Sequence, residues 1–179
     1  FGVKGNGLQI GGAGEHIIAK GFKGIVGDKA RTLSLWIKTS DTNGTITSWG
    51  NTVGNGKLWD FGITNGKLSL NIGGGRIETL QVVNNDSWHH VAVVFPSASS
   101  FLRDIVLYVD GVVQPVNLWG DTIVSTGDDL DMILGTNHLA NNFEGVVDEV
   151  RFYERGLSNN ELMSVFLNGT MIFTTSSSA

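Results

Sequence analysis

The stretch KLWDFGITNGKLSL, residues 57 to 70, combines two patterns that together predict a β-hairpin. Apolar and polar residues alternate on both sides of Asn65-Gly66, which is the period of a strand with one buried face. Asn-Gly is favoured in two-residue hairpin turns because both of its residues adopt positive φ angles readily. The stretch therefore predicts two antiparallel strands joined by a tight turn.

Similar alternating runs follow one another along most of the chain. They lie at residues 32–38, 88–95, 104–116, 130–136 and 145–154. The 25 glycines, about twice the usual share of ~7%, indicate many turns between short elements. Ser158 and Glu161 have the spacing of a capping box, and the apolar helical pattern that follows ends at Gly169. We therefore expect an all-β, two-sheet antiparallel sandwich with one short C-terminal helix.

Composition and charge exclude several classes of protein. The net charge is −5, from 12 basic and 17 acidic residues, and the basic residues are scattered. A nucleic-acid-binding protein would gather them into a stripe, and a membrane-spanning helix would need about 18 apolar residues in a row. We therefore expect neither a nucleic-acid partner nor a membrane. We expect one domain at residues 1–173 and a small polar linker or tail at residues 174–179, as in a module of a longer protein.

Adjacent histidines at positions 89 and 90 raise the question of a metal site. His89 and His90 lie on a predicted strand, so their side chains point to opposite faces and do not reach one ion together. We expect structural roles for both, as partly buried rings hydrogen-bonded to neighbouring loops.

Several segments occur in the order found in a known family. They are GLQIGGAGEHI (7–17), LSLWIK (33–38), SWHHVAVVF (87–95), LYVDGV (107–112) and FEGVVDEVRFYERGLSNNEL (143–162). In this order they resemble the laminin-G-like, or concanavalin A-like, jelly-roll domains of bacterial multidomain proteins. The resemblance implies a jelly-roll β-sandwich of the kind commonly used to bind glycans. It also implies a bacterial protein that is secreted or lies at the cell surface, with this domain appended to others.

A structural calcium ion is a further implication of the resemblance. Its ligands would be a carboxylate on a C-terminal strand and an acidic residue of the N-terminal loop, which here match Asp148 and Glu15, together with a backbone carbonyl of residues 11–14. Oxygen ligands on a flexible loop suit Ca²⁺. Asp148 alternates with Val146 and Val150, on what is expected to be the core-facing side, where a lone carboxylate needs a partner. The alternative is that Asp148 accepts backbone N–H bonds or pairs with an arginine.

The carboxylate pattern of an enzyme is missing from the sequence. Concanavalin-like glycosidases carry Glu-x-Asp-x-x-Glu on one strand, because they need an acid and a nucleophile about 5 Å apart. The chain contains no such run, no cysteine and no Gly-x-Ser-x-Gly nucleophile turn. We therefore expect a protein that is not an enzyme.

Candidate ligand-binding residues are aromatic side chains for stacking on sugar rings and polar side chains for sugar hydroxyls. They are Trp49, Trp59, Asp60, Asn71, Arg76, Trp119 and His138. Trp49 is expected to project from an exposed sheet face, whereas the face of Trp59 is more typical of a core. Trp119 and Arg76 are expected in loops, and an arginine after three glycines can clamp a carboxylate or sulfate.

These features predict a non-catalytic carbohydrate-binding module that targets a parent protein to a polysaccharide, with an acidic or sulfated polymer as one possibility. The alternative is a protein-interaction or adhesion module of a secreted multidomain protein. A third possibility is a structural spacer without a ligand.

Overall fold

Thirteen β-strands in two antiparallel sheets form the body of the molecule in the computed structural model, which describes residues 2–96 and 100–169. The predicted tail at 174–179 lies outside the described residues. The strands are β1 (Leu8–Gly11), β2 (Ile17–Ala19), β3 (Arg31–Lys38), β4 (Asn43–Gly50), β5 (Leu58–Thr64), β6 (Lys67–Asn71), β7 (Arg76–Val82), β8 (Trp88–Phe95), β9 (Val106–Val109), β10 (Val112–Val113), β11 (Val116–Trp119), β12 (Leu130–Leu134) and β13 (Glu144–Tyr153). A 3₁₀ turn (Leu102–Asp104) precedes β9, and helix α1 (Asn159–Gly169) follows β13.

The two sheets have six and seven strands. The order in the first is β1-β13-β3-β8-β9-β10, and the order in the second is β11-β7-β6-β5-β4-β12-β2. Apolar side chains from both sheets meet between them, and Leu35, Phe61, Leu70 and Val93 are fully buried there. The expected two-sheet β-sandwich is confirmed.

The hairpin predicted at Asn65-Gly66 joins β5 to β6. Thr64 pairs with Lys67, and the two turn residues have φ angles of 52° and 75°. Both values lie in the left-handed region that this turn type requires. The local sequence therefore determines the register of these two strands, which carry the centre of the site described below.

Helix α1 begins at the predicted capping box. The Ser158 N–H donates to Glu161 Oε2 over 2.8 Å, and the Glu161 N–H donates to Ser158 Oγ over 3.4 Å. The helix covers part of the outer face of the six-stranded sheet, where Phe166 stacks on Trp36 with ring centroids 5.6 Å apart. Within the described residues, no helix is both long enough and apolar enough to cross a membrane.

The two adjacent histidines point to opposite faces of β8, as expected. His89 Nδ1 lies 2.8 Å from Asp110 Oδ2, and its Nε2 lies 3.0 Å from Asn85 Oδ1. His90 lies on the outer face beside Trp36, under helix α1, and within the part of the chain that the structure describes its Nδ1 has no hydrogen-bond partner. A shared metal site is therefore ruled out by geometry, and His89 has the predicted structural role.

A β-bulge in β13 reverses the face that Asp148 occupies. Val147 is buried in the core, but the pairing with β3 shifts between Asp148 and Arg151, and Glu149 takes a φ angle of 51°. Beyond the bulge, Val150 packs on the core instead. Asp148 pairs with Trp36 and lies half-buried on the outer face. The expectation that Asp148 faces the core is wrong, because the bulge interrupts the alternation on which it rested.

Candidate functional site

A row of side chains crosses the outer face of the seven-stranded sheet. Trp119 on β11 pairs with Arg76 on β7, Arg76 pairs with Asn71 on β6, and Asn71 pairs with Asp60 on β5. Neighbouring strands lie about 4.8 Å apart, so these four residues span about 14 Å. We call Arg76, Asn71 and Asp60 the polar row. The sheet thus brings together four of the seven residues that the sequence nominates for ligand binding.

The polar row lies along a shallow depression of about 100 Å³. Its walls are Gly44, Thr45, Asp60, Gly62, Ile63, Thr64, Ser69, Asn71, Arg76 and Asn141. Typical pockets that enclose a small molecule have volumes of about 300–1,000 Å³. The depression is therefore suited to hold a few polar groups of a ligand that lies on the sheet, and it does not engulf a whole ligand.

Asp60 is fixed at one end of the row by two hydrogen bonds. Its Oδ1 accepts from Thr45 Oγ1 over 2.7 Å, and its Oδ2 accepts from Asn137 Nδ2 over 2.8 Å. Burial raises the pKa of Asp60, and the two hydrogen bonds oppose that rise. Each carboxylate oxygen retains a second acceptor position, so Asp60 is oriented to accept hydrogen bonds from ligand hydroxyl groups.

Arg76 lies at the other end of the row and is only loosely paired. Its guanidinium lies 4.6 Å from the centre of the Trp119 ring, and its NH2 lies 3.8 Å from Glu78 Oε2, beyond hydrogen-bond distance. Among the described residues, neither the buried Nε of Arg76 nor Glu78 Oε2 has a hydrogen-bond partner. Lys67 Nζ lies 3.6 Å from the same Glu78 carboxylate. The Arg76 side chain is 38% exposed, so its terminal N–H groups can reach an acceptor supplied by a ligand.

Trp49 and Trp59 do not belong to the site. They are 1% and 0% exposed, and their rings stack in the core with centroids 5.4 Å apart. The expectation that Trp49 projects from an exposed face is wrong. The pairing of β4 with β5 shifts between Thr45 and Thr47, and this bulge places Ile46 and Trp49 on the same inner side. Neither ring can stack on a ligand at the surface.

The loop between β12 and β13 contributes asparagines to the site but not its histidine. Asn137 holds Asp60, and Asn141 Nδ2 donates to Thr45 Oγ1 over 3.1 Å. His138 is exposed and lines a separate depression beside His16. The structure therefore places His138 next to the site and outside its lining.

The residues expected to hold calcium do not fit a shared ion. Glu15 Oε2 accepts the Gly11 N–H over 2.8 Å, and Gly11 pairs with Glu144. Asp148 accepts the N–H groups of Lys4 and Glu149 over 2.9 and 2.8 Å. The two carboxylates are thus anchored four residues apart along β13, roughly 13 Å, whereas two ligands of one ion lie within about 5 Å.

Asp148 instead matches the alternative of a carboxylate that accepts backbone N–H bonds. Among the residues that the structure describes, no three His, Cys, Asp or Glu side chains form a metal-binding cluster.

Comparison with known proteins agrees with the fold. A family model described as the concanavalin A-like lectin/glucanase superfamily, in its laminin-G form, matches residues 11–163. The chain belongs to this superfamily. A comparison with curated protein sequences found no match to this chain.

Solved structures share the sandwich at low sequence identity. A Ruminococcus gnavus sialidase carbohydrate-binding module of family 40, bound to α2,3-sialyllactose, is 19% identical with a TM-score of 0.69, and the match covers 93% of this chain and 100% of that one. The binding domain of Paraclostridial Mosquitocidal Protein 1 is 16% identical with a TM-score of 0.67, covering 92% and 44%. Mouse laminin α1 domains LG4-5 are 15% identical with a TM-score of 0.62, covering 86% and 43%. At these low identities, the similarity to the three structures shows a shared fold and nothing further.

Sequence reasoning missed several residues of the site, among them Thr45, Ser69 and Glu78. Arg76 and Trp119 were expected in loops, but they begin and end the paired strands β7 and β11. The signal that could have found Glu78 is the alternation of Arg76 and Glu78 with Ile77, in the stretch RIETLQV at residues 76–82. If this stretch is recognised as a strand that pairs with β6, the outward side chains of Arg76 and Glu78 are expected beside those of β6.

Proposed function

We propose that this protein is a non-catalytic carbohydrate-binding module that attaches a parent protein to a polysaccharide outside the cell. The observation that carries the proposal is the polar row, in which the partly exposed guanidinium of Arg76 and the fixed carboxylate of Asp60 line one open depression. Sugars present many hydroxyl groups on a small surface, and such donors and acceptors match a row of this kind. The sugar complex of the similar Ruminococcus gnavus module supports the proposal.

An acidic saccharide fits the two ends of the row best. Arg76 offers N–H donors in a planar fork, which suits a carboxylate or sulfate. About 10 Å away, two strand spacings across the sheet, Asp60 accepts from hydroxyl groups. Lys67 and Glu78 offset each other's charge, so Arg76 is the cation that meets the ligand. We therefore propose a ligand with an acidic group at Arg76 and hydroxyl groups toward Asp60.

Trp119 provides an apolar surface at the end of the row. Its side chain is 45% exposed, and Arg76 stacks on its ring. The rest of the indole surface is open to a sugar ring, which binds aromatic groups through its C–H-rich face. Of the three tryptophans that were candidates for stacking, Trp119 takes this role, because Trp49 and Trp59 are buried.

The proposal is tested by glycan arrays followed by calorimetry on any saccharide that binds. We expect R76A to lower affinity for an acidic glycan at least tenfold, because a charge-assisted bidentate contact contributes more than about 1.4 kcal/mol. D60N, which removes an acceptor, should weaken binding of the same glycan.

The matched control is R155A, since Arg155 is an exposed arginine that pairs with Glu161 at helix α1. R155A should bind as the unmodified protein does. Silence of the unmodified protein on neutral, acidic and sulfated glycans would contradict the proposed function. Equal affinity of R76A and R155A would contradict the role of Arg76.

A protein-binding role is the second candidate, and one observation favours it. Large apolar side chains are exposed along the edge formed by β10 and β11, and residues 111–120 of this edge include no charged residue. Surfaces of this kind often mark sites of protein contact. The edge meets the candidate site at Trp119, but no residue of β10 or β11 lines the depression itself, so the two roles are compatible.

A further inference from the structure

Strand β11 is the last strand of the seven-stranded sheet, and its outer edge has no neighbour among the described residues. All four of its residues are exposed, and apolar side chains cluster around it. They are Leu80 at 53% exposure, Val82 at 50%, Val112 at 56%, Val113 at 45%, Val116 at 36%, Leu118 at 42% and Trp119 at 45%. An exposed apolar edge strand with free backbone groups is a template for pairing with another strand.

The two edges of this sheet differ in their protection. The short strand β2 at the opposite edge is flanked by Glu15 and Lys20, and charged residues next to an edge discourage pairing. In contrast, every residue from Gly111 to Gly120 is uncharged. The protein carries a net charge of −5, so two copies repel each other unless they meet at a neutral surface. The edge at β11 is such a surface.

We propose that β11 pairs antiparallel with β11 of a second copy of this chain, forming a symmetric dimer with a continuous fourteen-stranded sheet from two seven-stranded ones. This proposal goes beyond the proposed function and does not depend on it. The side chains allow the pairing, because residues directly opposite each other in an antiparallel pair lie on the same face. With the twofold axis at Leu118, Leu118 meets its own copy on the inner face, and Asn117 meets Trp119 of the second copy on the outer face.

The pairing would add to the candidate site. The outer face holds Trp119, so Asn117 of the second copy lies beside the stacking surface at the end of the polar row. The two Arg76 residues are then three strand spacings apart across the sheet and two residues apart along the strands, about 16 Å in all. A long polysaccharide can contact both rows at once, which raises its apparent affinity by multivalency, whereas a short saccharide contacts only one row.

Sedimentation equilibrium of the whole chain over a range of concentrations tests the dimer. We expect the unmodified protein to show a concentration-dependent monomer–dimer equilibrium. L118K should raise the dimer dissociation constant at least tenfold, because two lysines would lie directly opposite each other at the twofold axis. I17K is the matched control, since Ile17 is 49% exposed on the opposite edge strand of the same sheet. It should dimerise as the unmodified protein does.

Circular dichroism and calorimetry keep the outcomes distinct. Both lysines replace exposed side chains, so both variants should keep the β-sheet spectrum and the affinity for a short saccharide. A monomer at every concentration up to roughly 1 mM overturns the dimer, as does equal dimerisation of L118K and I17K. Loss of short-saccharide binding by R76A alone concerns the proposed function and leaves the dimer unaffected.

Discussion

Single tryptophans of this protein have opposite roles according to the side of the sheet on which they lie. Trp49 and Trp59 stack on each other in the core, and Trp49 Nε1 donates to the Ile25 carbonyl over 3.3 Å. Trp119 lies at a sheet edge and contacts the guanidinium of Arg76. The first pair stabilises the fold, whereas Trp119 is available to a ligand.

This contrast gives a prediction at the scale of one side chain. W49A should lower the free energy of unfolding by about 3–5 kcal/mol, because it leaves a cavity where a fully buried ring packed. W119A should change stability by less than about 1 kcal/mol and should weaken binding of a glycan that the unmodified protein binds. Chemical denaturation and calorimetry on the two variants provide the measurements. A similar loss of stability in both variants would contradict the assignment.

Strands and turns were predictable from the sequence wherever the signal is local. Strand β8 has the predicted limits of residues 88–95, the Asn65-Gly66 hairpin forms as expected, and the capping box at Ser158 begins helix α1. The bulges in β4 and β13 were not predictable, because an extra residue depends on how the partner strand pairs. Each bulge reversed the face of one candidate residue, Trp49 in β4 and Asp148 in β13.

The same limit explains which part of the candidate site the sequence analysis found. Asp60 and Asn71 lie on the two strands of the predicted hairpin, so their proximity follows from local register. Glu78 was missed and Trp119 was expected in a loop, because they reach the row through β7 and β11, whose pairing is set by distant parts of the chain. The pairing of β7 with β6 also shifts register between Lys67 and Ser69 of β6. This shift obscures the alternation of inward and outward residues in the sequence.

The position of strands β1 and β13 leads to a prediction about calcium. The carboxylates of Glu15 and Asp148 accept backbone N–H groups near opposite ends of the β1–β13 pairing. They are therefore too far apart to hold one ion between them. The melting temperature should therefore be the same, within about 1 °C, in excess calcium and in excess EDTA. Differential scanning calorimetry measures it. A rise of several degrees in calcium would mean that other oxygen atoms hold an ion.

A histidine buried between the six-stranded sheet and helix α1 makes the stability of the whole molecule dependent on pH. His90 is 1% exposed and lies between Trp36 and Phe166, under helix α1. Burial lowers the pKa of His90 to about 4, nearby Asp110 opposes this shift, and Arg151 adds to it. The folded protein therefore keeps His90 neutral at pH values at which the unfolded chain protonates it.

We predict a loss of stability between pH 6.5 and 4. Within this window the unfolded chain binds a proton that the folded protein does not bind, so the free energy of unfolding decreases as the pH falls. The contribution of His90 is roughly 3 kcal/mol over the whole window. Above pH 6.5 it has no effect. Denaturation curves at a series of pH values should show a shallower decline for H90F, in which a ring without a titrating group fills the same space. Identical slopes for the two proteins would refute the role of His90.

The division of the fold into two sheets also separates the polar row from the ends of the described chain. The first described strand, β1, and the last described helix, α1, both belong to the six-stranded side. The polar row lies on the outward surface of the other sheet. A domain joined next to β1 or α1 would therefore connect on the side of the molecule opposite the polar row.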